Sequence, residues 1–229
     1  MNKKGGQWIY RIIGIISVAV FLFSAYKLYG YYREVHESDQ VTLFLMEQAV
    51  TIHAAEPTQR PSTNAEEPDS FPLETAPISV DFSILQAENP DIIAWLYCAD
   101  TPINDPVLYS GDNTYYLKRL PNGKRNSAGS LFLDYQNATD FTDWNSIIYG
   151  HNMKSDARFG TIDEYRNQEY YDMHPFMYLL TPEKAYKVQL IAGYTTPSDS
   201  DAYSIAKATP KERADYIEQV KEKSTFTAD

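Results

Sequence analysis

Histidine and cysteine are the side chains best suited to move a proton or carry an acyl group near neutral pH, and this chain of 229 residues has four of the first and one of the second. His151 stands apart. The preceding stretch "NSIIYG" (145–150) reads as a short apolar strand ending in glycine, and such a strand can aim an imidazole from the rim of a β-structure. An imidazole there can act in turn as acid and base. The other three have plainer readings. His36 and His53 fall in a polar, helix-like stretch, where histidine is ordinary surface, and His174 precedes Pro175 at the start of a strand, a structural turn position.

Three site chemistries are conceivable around His151. A metal centre would draw on Asp156 and His174, but no H-x-H or H-x-x-x-H spacing exists and a single Cys leaves the zinc frameworks without ligands. Neither metal nor cofactor is expected. A serine nucleophile would want G-x-S-x-G, which is absent. Cys98 is the remaining partner, as a nucleophile for His151. It ends the apolar run "IIAWLYC", where a cysteine is ordinarily a small buried hydrophobe with a raised pKa.

The elements that must position these groups fall into three segments. Residues 1–33 carry Lys3, Lys4, Arg11, Lys27 and Arg33 and no acid. From Trp8 to Tyr32 a helix rising about 1.5 Å per residue is long enough to cross a hydrocarbon layer of about 30 Å, with Trp8, Tyr10, Tyr26, Tyr29, Tyr31 and Tyr32 at its two ends. No convincing small-x-small cleavage site follows, so the segment is read as an uncleaved anchor whose lysines keep the amino end in the cytoplasm. Residues 34–78 are read as an extracellular stalk and linker. The stalk helix (33–55) has Val41, Phe44, Leu45 and Gln48 on one side, and the linker (56–77) holds five of the thirteen prolines. A folded domain is placed at 79–229.

Within that domain a short helix carrying Phe82 and Leu85 precedes strands predicted at 92–98, 106–110, 130–135, 145–150, 176–180 and 185–194. Helices are expected at 158–165 and 209–223. The second has Thr209 as N-cap, Pro210 at its first position and Glu212 completing a capping box, and is expected to pack through Ala214, Ile217 and Val220. The net charge of −11 and the absence of a basic face exclude nucleic acid as a partner.

Three stretches, in order, resemble the class B sortases, membrane-anchored cysteine transpeptidases of Gram-positive bacteria. "NPDIIAWLYCADTPINDPVLYSGDNTYYL" is similar to the family's opening strands and its Asp-Asn-x-x-Tyr-Leu helix, "SAGSLFLDYQN" to its Gly-Ser/Thr-x-Phe-x-Asp-Tyr-x-Asn strand, and "SIIYGHNMKSDARFGTIDEY" to the segment with its catalytic histidine. The resemblance covers about residues 81 to 223. It implies a fold that is mainly β with helices, a closed β-barrel lacking its last two strands here, preceded by a transmembrane helix.

It also implies roles. His151 becomes the catalytic histidine, and Asn113, Leu117 and Tyr149 line a groove for a sorting-signal peptide resembling Asn-Pro-x-Thr-Asn. The implied reaction cleaves a C-terminal sorting signal through a thioester and joins surface proteins to an amine of the peptidoglycan precursor, outside the plasma membrane. Cys98 falls on the family's first strand rather than at its nucleophile. That Cys and the catalytic Arg belong beyond "KSTFTAD", so the chain as it stands is expected to be inactive. Two alternatives remain: a different enzyme on a similar barrel, and a membrane-tethered, non-catalytic peptide-binding module.

Overall fold

The computed structural model describes residues 4–53, 76–206 and 209–228, with side chains from Trp8 onward. Most of the expected linker, 56–77, lies outside the described residues. The chain divides into two compact units, Met1–Glu37 and Ser38–Asp229. Helix α1, Lys4–Ala49, contributes to both.

In the first unit the helix is exposed along its apolar face, with residues such as Ile15, Phe21 and Phe23 open to the surroundings. By length and composition it can cross a membrane. The second unit begins at Ser38, well before the domain start expected at 79, because the end of α1 packs into its core. Ser38, Leu45 and Ala49 are buried, so of the four residues placed on one side of the stalk helix Leu45 packs inward while Phe44 and Gln48 are exposed. The helix runs straight into strand β1, Val50–Ile52, which pairs antiparallel with β2, Ile78–Val80. Asp81 then caps α2, Phe82–Glu88, accepting from the amides of Ser83 (2.9 Å) and Ile84 (3.3 Å), and Phe82 and Leu85 point into the core as predicted.

The main sheet has six strands: β3 (Ile92–Tyr97), β4 (Asn104–Leu108), β5 (Leu131–Leu133), β6 (Ile148–Tyr149), β7 (Phe176–Leu180) and β8 (Ala185–Gln189). Their order is β6-β5-β4-β3-β7-β8, with β4 and β5 parallel and every other neighbouring pair antiparallel. All six coincide with predicted strands, with shifted ends. The closed barrel does not: among the described residues the sheet is an open, curled half-barrel, since no pairing joins β6 to β8. β6 is only two residues long, and the strand expected over 185–194 leaves the sheet after Gln189.

Strand alternation gives the sheet two apolar faces. Trp95, Tyr97, Leu108, Phe132 and Leu180 pack with Leu45, Ala49, Ile78, Phe82 and Leu85. Ala94, Leu96, Cys98, Val107, Leu131, Leu133, Met177 and Leu179 pack with Tyr165, Tyr171 and Phe226. Trp95 donates its Nε1–H to Asn104 Oδ1 at 2.6 Å, which satisfies the buried indole. The helix expected at 158–165 is a 3₁₀ segment, Gly160–Arg166, and α3, Gln168–Met173, capped by Asn167, follows it unpredicted.

Helix α4, Pro210–Lys223, has the expected capping box of Thr209 and Glu212. Its packing face differs from expectation. Val220 is buried, but Ala214 and Ile217 are exposed. Trp144 meets a neighbouring stripe instead: the half-buried Tyr216 ring lies edge-on to it at 5.6 Å and the guanidinium of the exposed Arg213 lies 5.8 Å from its centroid.

Candidate active site

His151 is delivered by β6 through Gly150. A Cβ at position 150 would overlap Leu131 Cδ2 and come within 2.7 Å of Phe159 Cδ2, so a side chain there must push these two packed side chains aside next to the imidazole. His151 is half-buried and held at two points. Its backbone carbonyl accepts from the Phe159 amide at 3.1 Å, and its Nε2 lies 2.8 Å from the Leu117 carbonyl. A carbonyl can only accept, so Nε2 carries the proton in this contact. In the neutral ring Nδ1 is then the basic nitrogen.

Leu117 belongs to the 3₁₀ turn Tyr116–Lys118, where a longer helix was expected. Asp112 starts this turn by accepting from the Thr114 hydroxyl (2.7 Å) and amide (2.6 Å) and the Tyr115 amide (2.8 Å), bonds that hold its carboxyl below the usual range. Asn113, on the same turn, donates to Asp134 Oδ2 at 2.8 Å and accepts from the Tyr135 amide at 3.0 Å. The Tyr149 hydroxyl donates to the same Asp134 oxygen at 2.9 Å. Burial first, and then the bond to this carboxylate, push the Tyr149 phenol up, so it remains a donor.

The four residues singled out in the sequence therefore form two linked pairs, Leu117 with His151 and Asn113 with Tyr149. The link in the second pair is Asp134, 3% exposed, to which sequence reasoning gave no role. The available signal was an acid immediately after the apolar strand "LFL". Tyr203 was also missed. Its ring stacks on Tyr149 at 6.3 Å and 12°, on a loop that Asn145 holds by donating to the carbonyls of Ala202 and Ser204 at 3.1 and 2.9 Å.

Cys98 is placed quite differently. It is fully buried just past the end of β3, with its sulfur 3.6 Å from both the Tyr165 hydroxyl and the Phe176 carbonyl. Burial pushes the thiol up, away from the reactive thiolate. His174 caps α3 with its backbone and sets its ring 4.6 Å from that of Tyr170, while His36 and His53 are exposed. Among the described residues no group of three His, Cys, Asp or Glu side chains could hold a metal ion.

No protein-family model matches the chain. Sortase B of Listeria monocytogenes serovar 1/2a (strain ATCC BAA-679 / EGD-e) is 31% identical over 220 residues, which cover 95% of this chain and 82% of that protein. Sortase B of Staphylococcus aureus (strain NCTC 8325 / PS 47) is 25% identical over 148 residues, 65% of this chain and 61% of that one. The S. aureus sortase B–substrate complex superposes with a TM-score of 0.62 over 65% of this chain and 68% of the other. Sortase B from B. anthracis in complex with AAEK1 gives a TM-score of 0.68 at 25% identity, over 86% and 85%. The half-barrel thus falls among the sortase-type cysteine transpeptidases. The chain belongs to the sortase B family.

Proposed function

We propose that the chain is the membrane-anchored, peptide-holding body of a class B sortase, with His151 as its acid–base group and Asn113, Leu117 and Tyr149 along the groove that receives a sorting-signal peptide. That the S. aureus neighbour is a sortase B–substrate complex supports a substrate occupant of this groove. The apolar stretch of α1, with Lys3 and Lys4 before it, supports a single-pass anchor with its amino end in the cytoplasm and the body outside. Tethering raises the effective concentration of substrates held at the same surface.

In the proposed reaction a thiolate adds to the carbonyl of the scissile peptide bond. Protonated His151 gives its proton to the departing amine, and a thioester remains. The amine of a peptidoglycan precursor then attacks the thioester, neutral His151 takes its proton, and the thiolate leaves. The observation that carries this reading is the His151 ring at the lip of the site, its Nε2–H on the Leu117 carbonyl and Nδ1 left as the base.

The thiol served is not Cys98, which is sealed in the core, and these 229 residues contain no other. Acting alone they are assigned to binding without turnover, which coincides with the non-catalytic reading. The test uses the full chain in detergent micelles with a labelled Asn-Pro-x-Thr-Asn peptide. Binding by fluorescence anisotropy is expected, weakened by Leu117→Ala, with no cleaved product. Cleavage that disappears on Cys98→Ala would overturn the assignment, as would affinity unchanged in both Leu117→Ala and Tyr149→Ala.

A further inference from the structure

Arg158 lies seven residues beyond His151 and makes none of the contacts discussed so far. It is 2% exposed and its φ is 59°, a left-handed conformation that a side chain disfavours and that persists only where the surroundings impose it. Four of its five N–H groups have protein acceptors. Nε donates to the Gly129 carbonyl at 3.0 Å, and one terminal nitrogen donates to Ser38 Oγ at 2.9 Å. The other donates to Thr42 Oγ1 at 3.1 Å and to the buried carboxylate of Asp105 on β4.

These contacts bear on both points that hold His151. The loop from 151 to 159 is closed by the bridge between Asn152 and Arg158 and by the Phe159 amide on the His151 carbonyl, so fixing Arg158 fixes the backbone of His151. On the other side Gly129, held by Arg158 Nε, lies so close to the 3₁₀ turn that a Cβ on it would come within 2.6 Å of the Leu117 carbonyl. The adjacent Ser130 amide donates to the Tyr116 carbonyl at 3.0 Å. Gly129 thus sets the position of the oxygen that receives the His151 Nε2–H. Ser38 and Thr42, in turn, belong to the segment of α1 that packs into the body.

We propose that Arg158 is a positioning residue for His151, fixing the loop behind the imidazole and the carbonyl in front of it, and that it does so only while the Ser38–Ala49 segment of α1 is seated. Its catalytic consequence rests on the reading of His151 given above; the positional coupling does not. A buried guanidinium spanning α1, β4 and the Gly129 loop holds the ring in the Nε2–H tautomer. Without the α1 contacts the same arginine has two anchors fewer and the ring is freer to turn.

The test is nuclear magnetic resonance of the full chain in micelles with isotope-labelled histidine, the His151 signals being assigned by their loss in His151→Ala. The wild type is expected to show the neutral ring as the Nε2–H tautomer, with slow solvent exchange of that proton. In Ser38→Ala/Thr42→Ala, which leaves the ion pair intact, exchange is expected to rise about tenfold, the equivalent of one ordinary hydrogen bond, and the tautomers to mix. Arg158→Met/Asp105→Asn leaves no buried charge unpaired and is expected to show the same change. Arg158→Lys, which cannot span all four acceptors, is expected not to restore the signature. A merely structural role would lower the melting temperature and leave the tautomer alone. If Ser38→Ala/Thr42→Ala melts cooperatively and keeps the wild-type tautomer and exchange, the proposal fails, whether or not the arginine variant folds. Failure of the proposed function would appear separately, as peptide affinity unaltered in both Leu117→Ala and Tyr149→Ala.

Discussion

Cys98 and His151 are both reactive residue types delivered by the same sheet, yet one is sealed and the other presented. Cys98 follows β3, an interior strand paired on both sides, whose residues are almost all buried, and its sulfur meets a tyrosine hydroxyl and a carbonyl inside the core. His151 follows β6, a two-residue strand at the sheet's edge whose side chains are only half-buried. A central strand has both faces covered, so a thiol at its end is packing material. An edge strand leaves its last residue at the rim, where a ring is held by few contacts and can still meet a ligand.

The largest effect expected from this contrast is in thiol chemistry. Cys98 in the native chain should react with a thiol reagent at least about a thousandfold more slowly than in the urea-unfolded chain, because labelling waits for an opening of the core. Labelling at nearly the unfolded rate would break the comparison. At the rim, Gly150→Ala should cost about 1–3 kcal/mol by overpacking against the fully buried Leu131, lowering the melting temperature by several degrees. A neutral outcome would mean that the loop carrying His151 yields freely.

A pH series sharpens the same point. Burial raises Cys98, and likewise the phenols of Tyr97 and Tyr178, above their ordinary values. The folded chain therefore keeps protons that the unfolded chain has already released. Their contribution is complete below the unfolded thiol value of 9.0 and is lost as pH rises through the folded values. Across that interval each group contributes a slope of up to about 1.4 kcal/mol per pH unit. Urea midpoints measured from pH 8 to 10.5 should fall, and less steeply in Cys98→Ala.

The strands, the capping box at Thr209, the apolar burial of Cys98 and the strand–glycine–histidine arrangement were readable because each is written in neighbouring residues. The docking of α1 was not, because its contact through Ser38 with Arg158 spans 120 positions. The resemblance implies a barrel without its last two strands, and the open half-barrel agrees with that much; the point where β8 leaves the sheet is concealed by the continuous run 185–194. Asp134 escaped notice because a single acid after a strand gains its meaning only when Asn113 and Tyr149 converge on it. The α4 face was misread for a related reason: the helical period offered two stripes, and Trp144, 72 positions before Tyr216, selects between them.

The smallest effect concerns the Asp134 hub. Tyr149→Phe removes one hydrogen bond to the carboxylate and leaves the ring between Tyr203 and Phe132, whose centroid lies 5.3 Å away. Bonds to a charged group are worth about 1.5–3 kcal/mol when buried, and this phenol is only half-buried, so a loss of about 1 kcal/mol is expected by urea denaturation. Asp134 keeps its bonds from Asn113 and the Gln136 amide, so it is not stranded. Asn113→Ala removes the other side-chain donor, and the two substitutions together should cost more than the sum of the single ones, because the second leaves the buried carboxylate with no side-chain partner among those found here. Strict additivity would show that Asn113 and Tyr149 are held by their own surroundings and not by a shared acid. The two side chains would then be independent pieces, while His151 and Leu117 would stay joined through their own hydrogen bond.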